Sequence, residues 1–99
     1  MFDSNMMERL QKAQQEIENI KLRLEQTIIE ASSPSDKVKV SITASKKIQS
    51  ITIDPSLQNT EIEELEDHLI MAVNEAISRA EAKWEMEMKS AASGLLPGL

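Results

Sequence analysis

The sequence has 99 residues, one Phe, one Trp, no Tyr, no cysteine and a net charge of −6. A chain of this length predicts one domain and buries only about 60–70% of its unfolded surface, so a folded monomer is marginally stable. The absence of cysteine excludes disulfides and thiolate metal sites. The first residues do not form a signal-peptide pattern, and no 18 apolar residues run together, which predicts a cytoplasmic protein without a membrane partner.

Positive charge is concentrated in the middle of the chain. Residues 37–53 contain no acid and four lysines, which are Lys37, Lys39, Lys46 and Lys47. Residues 60–91 carry nine acids against three bases, and residues 1–30 carry six acids against four bases. The net charge disfavours general attraction to nucleic acid. Any anion-binding face is therefore expected on the central segment.

The first predicted element is a helix over residues 4–26, about 33 Å long. Apolar residues recur there at spacings of three and four, namely Met6, Leu10, Ala13, Ile17, Ile20 and Leu24. The stripe is narrow, which is typical of a helix that packs on a partner helix. The β-branched residues that follow favour a strand over 27–32, while continuation of the helix to Ala31 is the alternative.

A β-hairpin is predicted after the loop at Ser32–Asp36. Residues 37–44 alternate strictly, with Val38, Val40 and Ile42 on one face and lysines and hydroxyl side chains on the other. A second strand over 48–54 places Ile51 and Ile53 inward. Ile48 is out of phase with them, which predicts either a bulge or an early start of the strand.

A second helix is predicted over residues 60–91. Thr60 and Glu63 form a T-x-x-E capping-box pattern, and acids cluster in the first turns. Gly94 is expected to end the helix, which leaves an apolar tail over 92–99. The order of helix, two or three strands and helix predicts an α+β fold with an antiparallel sheet, which is three-stranded if residues 27–32 form a strand.

The two predicted helices are too long for one small sheet to cover. A three-stranded sheet is about 15 Å wide, whereas helices of roughly 23 and 30 residues extend well beyond it. The simplest cover is a second copy related by a twofold axis. An intertwined homodimer is thus predicted, with an interface formed by Leu10, Ile17, Ile20, Leu24, Ile77, Ala80, Trp84 and Met88.

No pattern in the sequence predicts catalysis. His68 is the single histidine and follows Glu64 by one helical turn, which is typical of a surface histidine beside a carboxylate. No serine lies in a G-x-S-x-G context, and the two glycines are too close to the C-terminus to form a phosphate-binding loop. We therefore expect no enzyme activity, catalytic residue, metal, cofactor or small-molecule substrate.

The lysines of the hairpin have two interpretations of equal weight. Lysines on the open face of a strand often protect a sheet edge from aggregation. Four positive charges in one short segment also form a local field that suits phosphate. If all four contact phosphates, log K falls against log salt with a slope of about −3.6 per chain.

Four segments of the sequence resemble the YbaB/EbfC family of bacterial nucleoid-associated proteins. They are Lys12-Ala13-Gln14-Gln15, Val38-Lys39-Val40-Ser41-Ile42, Ile51-Thr52-Ile53-Asp54-Pro55-Ser56-Leu57 and Leu96-Pro97-Gly98. The third is the most specific, because an acidic helix start with Glu64, Leu65, Glu66 and Asp67 follows it. The resemblance spans nearly the whole chain.

The resemblance implies a homodimer with long helices projecting from a central antiparallel sheet, located in the nucleoid and binding DNA. The candidate DNA-binding residues are Lys37, Lys39, Lys46, Lys47, Arg9, Lys12, Lys21 and Arg23. Two loops, 34–36 and 44–46, lack the glycines that are usual in the family. The order of long helix, β-hairpin and long helix also leaves open a prefoldin-like chaperone or scaffold. The negative charge leaves open an acidic protein-interaction module without DNA affinity.

Overall fold

The structure, a computed structural model, describes residues 4–95 of the chain. Helix α1 (Ser4–Gln26) is followed by strands β1 (Ile28–Ser32), β2 (Val38–Thr43) and β3 (Ile48–Ile53). A short 3-10 turn over Pro55–Leu57 leads into helix α2 (Ile62–Leu95). Two long helices and a three-stranded antiparallel sheet make the fold α+β, as the sequence predicts. The molecule is elongated and measures 68 × 21 × 17 Å.

Helix α1 ends where β-branched residues begin. The amide of Thr27 donates to the Leu24 carbonyl (3.2 Å), and its hydroxyl donates to the Arg23 carbonyl (2.8 Å). These bonds satisfy carbonyls that the end of a helix leaves without partners. The chain then enters β1 at Ile28, so the strand is formed and the continued helix is not.

Strand β2 is the centre of the sheet, with β1 and β3 antiparallel on either side. Val40 pairs with Ile51, Ser41 with Ser50, and Ile42 with Ile48. Gln49 is therefore the extra residue of a bulge on β3, which brings Ile48 onto the same face as Ile51 and Ile53. The predicted bulge is confirmed.

Both loops around β2 contain a residue with a left-handed backbone. The φ angles are 60° at Asp36 and 71° at Lys46, in the two loops that lack the family's usual glycines. In the β2–β3 loop the Lys46 amide donates to the Thr43 carbonyl (2.9 Å) and the Thr43 amide donates to the Lys47 carbonyl (2.8 Å). This is a three-residue hairpin loop whose last residue is left-handed, a position that favours glycine.

Helix α2 differs from its prediction at both ends. It starts at Ile62 rather than residue 60, because the Thr60 hydroxyl donates to the Leu57 carbonyl (2.8 Å) of the preceding turn. The predicted capping box is wrong. At the other end α2 continues to Leu95, so Gly94 lies inside the helix and residues 92–95 are not a tail. Residues 96–99 of that prediction lie outside the described residues.

The core lies between the inner face of the sheet and one side of α2. Val38, Val40 and Ile42 of β2 pack against three alanines of α2, which are Ala72, Ala76 and Ala80. Because alanine is small, the helix axis can approach the sheet closely at these positions. Leu65, Leu69, Val73 and Ile77 flank this contact.

Helix α2 covers β1 and β2 but not β3. Arg79 contributes to this position, since its guanidinium donates to the Glu30 carbonyl of β1 (3.1 Å) and to the Glu75 carboxylate (3.0 Å). The predicted inward side of β3 is therefore uncovered in one chain. Ile48, Ile51 and Ile53 lie on the core side of the sheet and remain 44%, 44% and 42% exposed.

Candidate nucleic-acid interface

Lys39 lies at the centre of the polar outer face of the sheet. Its neighbours across the strands are Ser32 on β1 and Thr52 on β3, and the next row contains Ser41 and Ser50. A shallow concavity of about 350 Å³ follows these hydroxyl side chains. It also borders two acids and one further base, namely Glu30, Asp36 and Arg79. Lys39 therefore belongs to a hydrogen-bonding surface of mixed charge.

Lys37 and Lys39 lie near the carboxylate of Asp54. The pKa of Asp54 is below its usual value, first because the Ser56 amide donates to the carboxylate (2.8 Å), with the Ser56 hydroxyl next. The charges of Lys37 and Lys39 lower it further, against an opposing effect of desolvation. The acid-free segment 37–53 thus has an acid one residue beyond its end, in the same corner of the fold.

The hairpin loop presents two lysines with different surroundings. The ammonium of Lys46 lies 3.5 Å from the Glu81 carboxylate of α2. Lys47 is exposed, and it forms no ion pair with any residue between 4 and 95. Over the same part of the chain, Lys37 and Lys39 also lack a carboxylate at ion-pair distance. Three of the four predicted hairpin lysines are thus unpaired, and one is masked.

Two of the four predicted cations on α1 are engaged with carboxylates. The guanidinium of Arg23 lies 2.8 Å from the Glu87 carboxylate, which Lys83 approaches to 2.9 Å from within α2. The pKa of Glu87 is lowered, first by the hydrogen bond and charge of Lys83 and then by the charge of Arg23. Lys21 pairs with Glu18 at 3.6 Å.

Arg9 and Lys12, the other two predicted cations of α1, lie on its distal half, far from the sheet. Both are exposed and form no ion pair with the described residues. The structure therefore does not bring the helical cations and the hairpin lysines into one compact patch. The unpaired charge divides between the sheet and the distal part of α1.

The predicted dimer residues separate into two groups. Leu24 and Ala80 are 0% exposed within a single chain, so they belong to its own core and offer no surface to a partner; for these two the prediction is corrected. The others remain at least partly accessible, namely Leu10, Ile17, Ile20, Ile77, Trp84 and Met88.

A second apolar surface, outside the predicted interface residues, lies on β3. It consists of Ile48, Ile51 and Ile53, and we call it the β3 face. A concavity of about 420 Å³ continues from Ile53 past Leu57 to Ile62 and Leu65 at the start of α2. The signal was present in the sequence as isoleucine on one side of the second hairpin strand. The missing information was that no helix covers this strand.

His68 connects α2 to the loop before β2. Its Nδ1 lies 3.1 Å from the Ser35 hydroxyl, and its Nε2 lies 3.8 Å from the Glu64 carboxylate. The predicted carboxylate neighbour is confirmed, but the side chain is largely buried and not on the open surface. Over residues 4–95 no group of three or more histidine, cysteine or acidic side chains could hold a metal ion. No helix in the same range is long and apolar enough to cross a membrane.

Comparison with known proteins gives consistent matches over nearly the full length. The model of the YbaB/EbfC DNA-binding family matches residues 1–95. A nucleoid-associated protein of Flavobacterium johnsoniae is 36% identical over 95% of this chain and 88% of its own length. One from Alkaliphilus metalliredigens is also 36% identical, over 97% of this chain and 86% of its own. The crystal structure of an uncharacterized protein from Helicobacter pylori superposes with a TM-score of 0.77 at 20% identity, covering 91% of this chain and 97% of that one.

Proposed function

We propose that this chain, which belongs to the YbaB/EbfC DNA-binding family, binds DNA as a homodimer and associates with the bacterial nucleoid. In this proposal the contacts are with backbone phosphates and use the lysines of the hairpin. The observation that carries the proposal is the set of unpaired lysines on the outer face and loop of the sheet, namely Lys37, Lys39 and Lys47.

The surroundings of these lysines suit phosphate recognition. Lys39 is flanked by the Thr52 hydroxyl, which can donate to a non-bridging oxygen of a phosphate, whereas the Ser32 hydroxyl donates to the Asp36 carboxylate (2.7 Å). Contacts of this kind hold DNA without reading its sequence. The acidic surface of α2 repels DNA, so we expect binding to be confined to the sheet and its loop.

The homodimer is supported by the β3 face. Apolar side chains on an uncovered sheet face are unfavourable in water, and β3 is also an edge strand whose outer backbone groups have no strand partner among residues 4–95. A second copy related by a twofold axis can cover the β3 face and the β3 edge together. In such a dimer the same patch of each chain packs against that of the other.

The test is the retardation of duplex DNA at several salt concentrations. With three phosphates neutralised per chain, we expect log K to fall against log salt with a slope of about −2.7 per engaged chain. The variant Lys39→Gln/Lys47→Gln should bind weakly, with a slope reduced to about −0.9. Its control is Lys83→Gln/Lys89→Gln on α2, which changes the net charge equally.

Equal binding by the two double variants would show that the hairpin is not the contact surface. Absence of retardation for the unaltered protein would overturn the DNA-binding proposal. That result would favour the protein-interaction alternative, for which the exposed apolar side chains Met7 and Leu10 on α1 are the supporting observation.

A further inference from the structure

The loop between β2 and β3 holds one lysine against α2. Lys46 has a left-handed backbone, and its ammonium lies 3.5 Å from the Glu81 carboxylate. Both side chains are about half exposed, at 52% and 53%. Both residues line a concavity of about 530 Å³, together with Ser45, Trp84 and Glu85.

We infer that Glu81 sets the DNA affinity of this chain by competing with phosphate for Lys46. The inference rests on the proposed function and adds to it a residue that makes no contact with DNA. Bound to Glu81, Lys46 carries no net charge toward an approaching duplex. Removal of that carboxylate makes Lys46 the fourth cation of the hairpin.

The backbone of Lys46 supports a specific role for its side chain. A left-handed residue at the end of this loop favours glycine, and a lysine there adopts a less stable conformation. Residues held in such conformations are commonly retained for function. Here the lysine at that position reaches the only carboxylate that pairs with a hairpin lysine within the described residues.

The acid close to Lys37 and Lys39, Asp54, does not act in the same way as Glu81. Asp54 is held by the Ser56 amide at 2.8 Å, and it forms no ion pair at 4.0 Å or less with Lys37 or Lys39. It therefore lowers the local potential without occupying either ammonium. A half-exposed ion pair such as Lys46–Glu81 is weak, so we expect Glu81 to lower the affinity for phosphate by no more than a few fold.

The experiment compares Glu81→Gln with Glu85→Gln in DNA-binding titrations over a range of salt. Both substitutions raise the net charge by one and lie one helical turn apart on the same concavity. Glu85 pairs with no base among residues 4–95, so only Glu81→Gln releases a lysine. We expect the salt slope to change from about −2.7 to about −3.6 per chain, and the affinity at about 0.15 M salt to rise up to roughly fivefold. Glu85→Gln should leave the slope unchanged.

A second comparison uses Lys46→Gln. In the unaltered background this substitution should weaken binding much less than Lys47→Gln, because the charge of Lys46 is already neutralised. In the Glu81→Gln background the two losses should be similar. This non-additivity is the signature of masking, and thermal unfolding of each variant separates it from a folding defect.

The outcomes separate the two proposals. If the unaltered protein binds DNA and Glu81→Gln behaves like Glu85→Gln, the inference about Glu81 is overturned while DNA binding stands. An equal loss from Lys46→Gln and Lys47→Gln in the unaltered background also overturns it. If no variant binds DNA, including Glu81→Gln, the proposed function fails and the inference fails with it.

Discussion

Truncation of Ile51 should weaken the proposed homodimer without removing any charge. Ile51 is the middle residue of the β3 face, pairs with Val40 across the strand and is 44% exposed in one chain. Complete burial of an isoleucine contributes about 1.5–3 kcal/mol, so covering the remaining 44% contributes about 0.7–1.3 kcal/mol per chain. In a twofold dimer each substitution counts twice, which gives about 1.3–2.6 kcal/mol.

This free energy corresponds to a dimer dissociation constant raised roughly 10- to 80-fold in Ile51→Ala. Sedimentation equilibrium at several loading concentrations measures that constant directly. The matched control is Ile28→Ala. Ile28 is 53% exposed on the other edge strand, and its pairing with Thr43 places it on the outer face of the sheet. We expect the dimer dissociation constant of Ile28→Ala to change little from that of the unaltered chain.

Two results would refute this reasoning. An equal shift in Ile51→Ala and Ile28→Ala would show that the β3 face is not the dimer surface. A well-folded monomer of the unaltered chain at micromolar concentration would show that the uncovered isoleucines do not require a partner.

Three further predictions concern stability. Leu24→Ala should lower the free energy of unfolding by about 2–5 kcal/mol in denaturant titrations, because Leu24 is 0% exposed where α1 meets the rest of the fold. Lys46→Gly should raise it by about 0.5–1 kcal/mol, since glycine adopts the left-handed backbone without a steric penalty but gains more freedom when unfolded. Asp54→Asn should make the free energy of unfolding depend less on pH in acid. The folded pKa of Asp54 is lowered, so the ionised carboxylate stabilises the fold fully above the ordinary aspartate pKa. That stabilisation is lost as the pH falls through the lower, folded pKa.

Two of the stability predictions have a control variant at a nearby position. Leu22 is 58% exposed on α1, so Leu22→Ala should change the free energy of unfolding by no more than about 0.5 kcal/mol. Lys47→Gly should not stabilise, because Lys47 has no left-handed backbone. Asparagine at position 54 can still accept the Ser56 amide bond, so only the titration is removed. A cost for Lys46→Gly, or an unchanged acid limb in Asp54→Asn, would contradict the explanations given.

Local pattern was sufficient for most of the secondary structure. The alternation of Val38, Val40 and Ile42 and the phase break at Ile48 identify the hairpin and its bulge, because side-chain direction in a strand depends only on position along it. The family likewise follows from four short segments distributed along the chain. The predicted start of α2 is two residues too early. A 3-10 turn over Pro55–Leu57, which no local pattern indicated, precedes the helix, and the Thr60 hydroxyl donates to the Leu57 carbonyl of that turn.

Contacts between residues that are distant in sequence decide which surface charges form ion pairs. Lys46 and Glu81 are 35 positions apart, and no local pattern indicates that one neutralises the other. The same holds for Arg23 and Glu87 at 64 positions. A count of charge along the chain therefore identifies the lysine-rich, acid-free segment 37–53, but overstates how many of its lysines are free of an ion pair with residues 4–95.

Residue order alone is enough for the elements, their succession and the side of each strand that is apolar, since these depend on neighbours along the chain. It is not enough to tell which strand a helix covers. The alanines of α2 place that helix over β1 and β2, and this packing leaves Ile48, Ile51 and Ile53 of β3 in water. Burial and ion pairing are properties of three-dimensional packing. The position of α2 on the sheet therefore decides both the exposure of the β3 face and the pairing of Lys46 with Glu81.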